Sequence, residues 1–141
     1  MEIEISNLIE SIGAQAFSFC KLLEPFSLPP LVKSIEENTF YYCKKLSSFI
    51  IPKNTSLSSI ESQAFGICHI LNSFTIPKDI YHIGDFAFHQ CYKLNNFTYL
   101  GFKEPQISNN SFSEFINLKE IYVNESYRND YFGNIKVKII G

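Results

Sequence analysis

The chain has 141 residues, of which 45% are hydrophobic, 16% aromatic and 18% charged. This length suits one domain with a sizeable core, and the composition is that of neither a disordered nor a membrane-spanning chain. The formal net charge is −2 at pH 7, whereas nucleic-acid-binding proteins normally carry a basic excess that neutralises phosphates. We therefore expect no nucleic-acid partner and no membrane insertion.

The opening segment, MEIEISNLIESIG, contains neither a basic region nor an unbroken apolar stretch. A secretory signal peptide has both features, so this segment is not expected to be one. No window approaches the roughly 20 apolar residues of a membrane-spanning helix. The sequence alone therefore does not indicate the cellular compartment of the protein.

One motif occurs five times along the chain. It starts at an isoleucine, has phenylalanine five residues later, cysteine three residues after that, and leucine after three more. The registered residues are Ile12, Ile35, Ile60, Ile83 and Ile107; Phe17, Phe40, Phe65, Phe88 and Phe112; Cys20, Cys43, Cys68 and Cys91, with Phe115 in the fifth copy; and Leu23, Leu46, Leu71, Leu94 and Leu118. Such a register at a period of 23 to 25 residues predicts a repeat protein.

The segment after each leucine alternates apolar and polar residues, as in LSSFII, LNSFTI and LNNFTY. A period of two indicates a strand with one buried face. Proline follows in three copies, at Pro29, Pro52 and Pro77, and ends the ladder because it lacks an N–H donor. In the stretch IGxxAFxxC the apolar spacing of three to five residues predicts one short helical turn.

A single coil of this kind cannot bury its own apolar row, so neighbouring coils must stack in register. We predict an α/β repeat solenoid, a right-handed superhelix with one parallel β-sheet and short helical turns. Residues 1–123 would form about five coils, the first of them incomplete, and residues 124–141 a C-terminal cap. The cap would cover the last coil with Tyr127, Tyr131, Phe132 and Ile135.

The two ends of the predicted solenoid differ. Residues 2–5, EIEI, are predicted to be a strand with Ile3 and Ile5 inward and Glu2 and Glu4 outward. That strand would have no neighbour on its N-terminal side, and an unpaired edge invites pairing with another chain. We therefore expect either a longer array or self-association through this edge.

The pattern LxxFxIP followed by IxxxAFxxC resembles the BspA-like class of leucine-rich repeats, also called the Treponema pallidum type. In one copy it is carried by Leu46, Phe49, Ile51, Pro52, Ile60, Ala64, Phe65 and Cys68. Two departures are Leu100 and Asn124, which stand where proline is expected. The resemblance implies a leucine-rich-repeat superhelix, a location at the cell surface, and adhesion to a host or extracellular-matrix protein.

Four cysteines invite a disulfide or metal interpretation. They are 23, 25 and 23 residues apart, without the Cys-x-x-Cys pairs or His spacing of common metal sites. We favour a column of buried thiols that pack as small hydrophobic groups, with occasional disulfides and metal binding as the alternatives.

No residue set in the sequence points to catalysis. His69, His82 and His89 occupy variable positions of different coils, which places them at the surface. There is no GxSxG elbow and no glycine-rich phosphate loop. We expect no catalytic residue, no metal and no cofactor. An enzyme remains the rival class, and its sign would be a pocket with a strongly perturbed titratable group.

The outward strand positions form the candidate binding face, because solenoids commonly bind through a wide and rigid sheet. These positions are Ser48, Ile50, Ser73, Thr75, Asn96, Thr98, Glu120 and Tyr122. The predicted function is a non-enzymatic protein-binding module, with surface adhesion implied by the family resemblance. The alternatives are an intracellular scaffold or a passive spacer within a longer array.

Overall fold

The structure is a computed structural model that describes residues 3–114 and 117–141. Its strands, in chain order, are β1 (Phe26–Ser27), β2 (Ser34–Ile35), β3 (Phe49–Ile50), β4 (Ser59–Ile60), β5 (Ser73–Ile76), β6 (His82–Ile83), β7 (Asn96–Tyr99), β8 (Gln106–Ile107), β9 (Glu120–Val123), β10 (Tyr131–Phe132) and β11 (Ile135–Ile139). The chain completes four turns between β1 and β9. The predicted parallel solenoid is confirmed, and its right-handed sense stays a prediction.

The strands lie on two faces of the solenoid rather than in the single sheet that we predicted. On the front face β1 pairs with β3, and β5, β7, β9 and β11 pair in parallel. The back face is a four-stranded parallel sheet with the order β2-β4-β6-β8. The prediction of one sheet was wrong because each back strand has two residues, which is too short to produce a visible alternation.

The predicted short helical turns are absent from the described residues. Ala16 N–H donates to the carbonyl of Gly13 at 3.2 Å, whereas the next donor, Phe17, reaches the carbonyl of Thr39 in the following coil at 2.9 Å. Every second N–H group therefore donates a hydrogen bond to the neighbouring coil. In an α-helix these groups would donate within the helix. The segments also contain left-handed residues with φ between 54° and 64°: Gln15, Phe19, Asn38, Tyr42, Gln63, Ile67, Phe86, Gln90 and Glu114.

The core contains two columns of stacked phenylalanine rings. In the first, successive centroids lie 5.3 to 5.7 Å apart and the rings are within 6° of parallel: Phe17, Phe40, Phe65, Phe88 and Phe112. The second column, on the front strands, consists of Phe26, Phe49, Phe74 and Phe97. Rings of different columns meet edge to face, as Phe40 and Phe49 do at 5.0 Å and 73°. Both arrangements are favoured by the aromatic quadrupole.

Among the described residues, the first coil leaves part of its N-terminal edge unpaired. In the described chain the carbonyls of Ala14, Ala16 and Ser18 accept no backbone hydrogen bond, although the corresponding carbonyls of the next coil accept one each. Ile3 and Ile5 pack against the core as predicted, but residues 3–5 form no strand, and Glu2 lies outside the described residues. Self-association through this edge stays a prediction.

The C-terminal residues add a strand to the front face and bury three side chains, and their role as a cap stays a prediction. β11 pairs in parallel with β9 and antiparallel with β10, and Gly133, with φ +60°, supplies the left-handed residue of the tight β10–β11 turn. Tyr127, Phe132 and Ile135 are buried as predicted. Tyr131 is 55% exposed, so its predicted covering role was wrong. It neighbours Phe132 on one strand and therefore points to the opposite side.

Replacing Gly101 with alanine is expected to destabilise the fold by about 1–3 kcal/mol, the usual cost of overpacking. A Cβ at this position would lie 2.1 Å from the hydroxyl oxygen of the buried Tyr99 and 2.9 Å from the carbonyl oxygen of Lys78. Urea unfolding measures the loss. Tyr99→Ile should restore part of it, because Ile76 fills the paired position on β5.

The matched control for Gly101→Ala is Gly13→Ala, since a Cβ at Gly13 would meet nothing within 4 Å. Equal unfolding midpoints for the two variants would contradict the steric explanation.

Candidate functional site

Seven of the eight residues of the predicted binding face lie at intermediate or exposed positions of the front strands, and the eighth, Ser48, directly precedes β3. On β5 and β7 the pairs Ser73–Asn96 and Thr75–Thr98 are in register, and Thr98 pairs with Tyr122 of β9. The residues between them, such as Phe74, are buried. Side chains therefore form straight outward columns across the coils. That these columns bind a partner stays a prediction.

A cleft of about 570 Å³ opens where β3 and β5 end. Ile50 and Thr75, which belong to the predicted face, line this cleft together with Leu100. Ile50 is 54% and Leu100 53% exposed. The cleft exists because the strands stop at prolines, which cannot continue the ladder. It extends the predicted face into an apolar depression.

The lining of the cleft contains charged as well as apolar residues. Lys53, Lys78 and Asp79 line it together with Pro52 and Pro77. An apolar centre surrounded by charged and polar groups is the usual arrangement of a protein-binding surface. The sequence showed Leu100 only as a departure from the expected proline. Its exposure indicates a place at the surface of this cleft.

The front face continues beyond Tyr122 onto β11, which the sequence did not reveal. Lys136 and Lys138 pair in register with Glu120 and Tyr122. The Lys138 Nζ atom lies 3.8 Å from a carboxylate oxygen of Glu120 and 6.0 Å from the ring centroid of Tyr122. An exposed ion pair of this kind adds little stability. The two lysines therefore mainly give the C-terminal end of the face positive charge.

The cysteine thiols are structural groups of the core. The Sγ atoms of Cys43, Cys68 and Cys91 donate to phenylalanine carbonyls of the preceding coil at 3.1–3.2 Å, and all three side chains are buried. Burial raises the pKa of Cys43 and Cys91 to about 12 and that of Cys68 well above its usual range. A thiol that stays protonated is a poor nucleophile.

This arrangement predicts selective alkylation of the folded protein at pH 8. Iodoacetamide should label the partly exposed Cys20 while Cys43, Cys68 and Cys91 stay unmodified, since the reagent attacks the thiolate. Peptide mass spectrometry after timed quenching gives the label at each position. In urea all four should react. Labelling of Cys68 as fast as Cys20 under native conditions would contradict the buried column.

Two further groups with perturbed pKa values are tyrosines at the C-terminal end. Burial raises the pKa of Tyr99, and it raises that of Tyr127 to about 12. The Tyr99 hydroxyl donates to the Lys103 carbonyl and the Tyr127 hydroxyl to the Tyr131 carbonyl. Both hydroxyls are therefore engaged in holding loops, and the charge of Glu104 raises both pKa values further.

The predicted surface histidines are half-buried, His69 in the third copy of the repeat and His82 and His89 on either side of Ile83 in the fourth. His82 Nε2 is 3.6 Å from a Glu61 carboxylate oxygen, and His69 stacks on Tyr92 at 5.1 Å. Burial, with a contribution from the charge of Lys44, lowers the pKa of His69. Within residues 3–114 and 117–141 no three His, Cys, Asp or Glu side chains are grouped as metal ligands. In the same ranges no helix is long and apolar enough to cross a bilayer.

The stacked coils define a leucine-rich-repeat solenoid. A model of the BspA type leucine rich repeat region matches six copies over residues 1–104 and 33–140. The chain therefore belongs to the BspA-type leucine-rich-repeat family, which confirms the resemblance noted in the sequence. No curated protein matches the chain.

Two crystal structures share the fold. A leucine rich cell surface protein from Faecalibacterium prausnitzii superposes with a TM-score of 0.59 at 20% identity, over 84% of this chain and 46% of that one. A leucine-rich repeat protein from Bacteroides ovatus gives a TM-score of 0.54 at 26% identity, over 84% of this chain and 38% of that one. The chain thus spans less than half the length of either protein.

Proposed function

We propose that the chain is a non-enzymatic module that binds a protein partner through its front face. The observation that carries this proposal is the continuity of the outward columns with the apolar cleft. Ile50 lies in both, and Leu100 exposes an apolar side chain in the same cleft. On a rigid sheet with an apolar depression, a bound partner would bury the apolar centre of the interface and leave polar groups around it.

A binding role is favoured over catalysis by the chemistry of the perturbed groups. The raised thiol pKa values belong to side chains that pack the core. Those of Tyr99 and Tyr127 belong to hydroxyls that donate to backbone carbonyls. A catalytic nucleophile needs a base beside it or a lowered pKa. The pKa values of all of these groups are raised rather than lowered.

We propose further that the partner is met at the cell surface, in an adhesion-type role. The support is the family resemblance, together with the fact that one of the two structures with this fold is a cell surface protein. The alternatives are an intracellular scaffold and a passive spacer. Protease treatment of intact cells separates these locations. Digestion of the native protein supports a surface role, and protection from protease favours the scaffold.

The binding proposal is tested with immobilised fibronectin, laminin and collagen as probes. Biolayer interferometry of the whole chain should give saturable binding to at least one of them. The double variant Ile50→Lys/Leu100→Lys should weaken that binding by about tenfold or more, since it places charge in the apolar centre. The control is Tyr81→Lys beside β6 on the back face, where Tyr81 is 63% exposed.

Three outcomes would overturn parts of this proposal. Equal weakening by the front and back variants would remove the front face as the binding surface. If unrelated acidic proteins bound the matrix proteins as tightly as this chain does, the chain would be a passive spacer rather than a specific binder. Saturable binding to none of the three matrix proteins would refute the adhesion role.

A further inference from the structure

An aromatic shelf lies on the side of the solenoid where the first two coils turn, away from the front-face columns. It consists of Phe19, Tyr41 and Tyr42. The ring centroid of Phe19 is 5.6 Å from that of Tyr41 and 5.1 Å from that of Tyr42, and the two tyrosine centroids are 6.2 Å apart. Phe19 is 57% exposed. The rings are inclined to one another by 37° to 74°, and Tyr41 and Tyr42 are half-buried, so Phe19 supplies most of the aromatic surface that is accessible from solvent.

The shelf is held in place by the backbone. Gly66 of the third coil leaves room for the Tyr41 ring, because a Cβ there would lie 2.9 Å from the Tyr41 Cδ2 atom. Phe19 and Tyr42 have φ values of +59° and +64°, a left-handed conformation that is unfavourable for a residue with a Cβ. Large aromatic side chains thus occupy strained positions, and one of them remains mostly exposed.

Two ammonium groups converge on the shelf. The Nζ atom of Lys44 lies 4.4 Å from the Tyr42 ring centroid and that of Lys21 lies 5.6 Å from it. In the part of the chain that the structure describes, neither ammonium pairs with a carboxylate. Lys44, first through a hydrogen bond and then through its charge, lowers the pKa of Tyr42, and Lys21 adds to the effect. The local potential is therefore positive on a chain whose net charge is −2.

We infer that the aromatic shelf, with Lys21 and Lys44, is a binding site for an acidic carbohydrate that carries uronic acid residues. The axial C–H groups of a pyranose ring form a flat apolar face that stacks on an aromatic ring. The carboxylate of the same sugar would lie against the two ammonium groups, which have no carboxylate partner among the described residues. Tyrosine hydroxyls at the shelf can donate to or accept from sugar hydroxyls.

The observations favour a uronate glycan over the other anionic polymers. A nucleic acid needs many cations, since its affinity comes from neutralising successive phosphates, and this site has two. An acidic peptide would satisfy the lysines, but glutamate and aspartate side chains present no flat apolar face to the three rings. A uronic acid would contact the aromatic rings with its pyranose ring and the two lysine ammonium groups with its carboxylate.

Isothermal titration of the whole chain with hyaluronan oligosaccharides tests this inference at low ionic strength. The neutral probe is a chitin oligosaccharide of the same length, and hexaglutamate is the probe for charge alone. Hyaluronan should bind saturably, the chitin oligosaccharide more weakly, and hexaglutamate weakest of all. Because the chain contains no tryptophan, the fluorescence of its eight tyrosines, Tyr41 and Tyr42 among them, provides a second readout of binding.

Two pairs of variants locate the site. Lys44→Met should weaken hyaluronan binding by about tenfold, as expected for loss of one charge-assisted contact, whereas Lys45→Met, the exposed lysine next along the chain, should change it less than about twofold. Tyr42→Leu should weaken binding and Tyr42→Phe should largely preserve it. Thermal unfolding of each variant verifies that the fold is intact.

Several results would overturn the inference. No saturable binding of hyaluronan would do so directly, as would equal losses from Lys44→Met and Lys45→Met, which would indicate diffuse attraction. Hexaglutamate binding as tightly as hyaluronan would identify the site as one for acidic peptides. Loss of binding in the front-face variant Ile50→Lys/Leu100→Lys, with the shelf variants unaffected, would place the glycan on the other face.

Discussion

Replacing Phe65 with alanine is expected to lower the free energy of unfolding by about 3–5 kcal/mol, the range seen for fully buried phenylalanines. Phe65 has no exposed surface, and its ring lies 5.4 Å from both Phe40 and Phe88 in its own column. It also meets Phe49 and Phe74 edge to face at 4.8 and 4.9 Å. The substitution therefore opens a cavity that every neighbouring coil shares.

The effect should be large because a solenoid is stabilised by contacts between adjacent coils. A cavity at Phe65 weakens the junctions on both of its sides, so the two halves of the array are expected to uncouple. Urea unfolding followed by circular dichroism measures the loss, and a broader transition than that of the wild type would report the uncoupling.

Phe17→Ala is the matched control, since Phe17 has the same repeat position but stacks on one ring of its own column in the described chain, Phe40 at 5.3 Å. Its loss should be clearly smaller than that of Phe65→Ala. The stacked-column explanation is wrong if the two variants unfold at the same urea concentration.

Replacing Phe132 with alanine should destabilise the chain to a similar extent, by about 3–5 kcal/mol. Phe132 is fully buried and its ring lies 4.9 Å from that of Tyr99 and 6.2 Å from that of Phe112. It closes the C-terminal end of both phenylalanine columns. Without it, the last coil exposes apolar surface to water, which also favours aggregation.

Thermal unfolding with light scattering measures both consequences of Phe132→Ala. The control is the adjacent Tyr131→Ala, whose side chain is exposed and should change the melting temperature little. Deleting residues 124–141 should be more severe, because it also removes β11 from β9. An unchanged melting temperature after either Phe132→Ala or the deletion would refute the capping role of this segment.

The sequence predicted most of the core because buried positions recur with the repeat. A side chain at the position of Phe65 or Leu71 must face inward in every coil, since only then do the apolar rows of neighbouring coils meet. The fifth copy follows the same rule as far as Phe112 and Leu118, which are buried, whereas Phe115 lies outside the described residues.

The candidate site was predicted only in part. Alternation along the strands was enough to place Ser73, Thr75 and their partners outward, since successive side chains of a strand point to opposite faces. It could not reveal the cleft beside Ile50 and Leu100. That cleft depends on how residues from three different coils meet after the strands end, which a local pattern does not encode.

By itself, the sequence determined the family, the parallel stacking of coils and the inward rows, because each of these follows from which residues repeat. Only the tertiary structure decided the second sheet, the left-handed turns and the join of β11 to β9. In the turns, the N–H of Phe17 bonds to the carbonyl of Thr39 in the next coil, and such a partner is visible only when coils are stacked. The shelf at Tyr42 depends in the same way on Phe19 and Lys21 of the preceding coil. The spacing of apolar residues along the chain indicates which side chains are buried. It does not indicate hydrogen-bond partners or surface neighbours, because these belong to different coils.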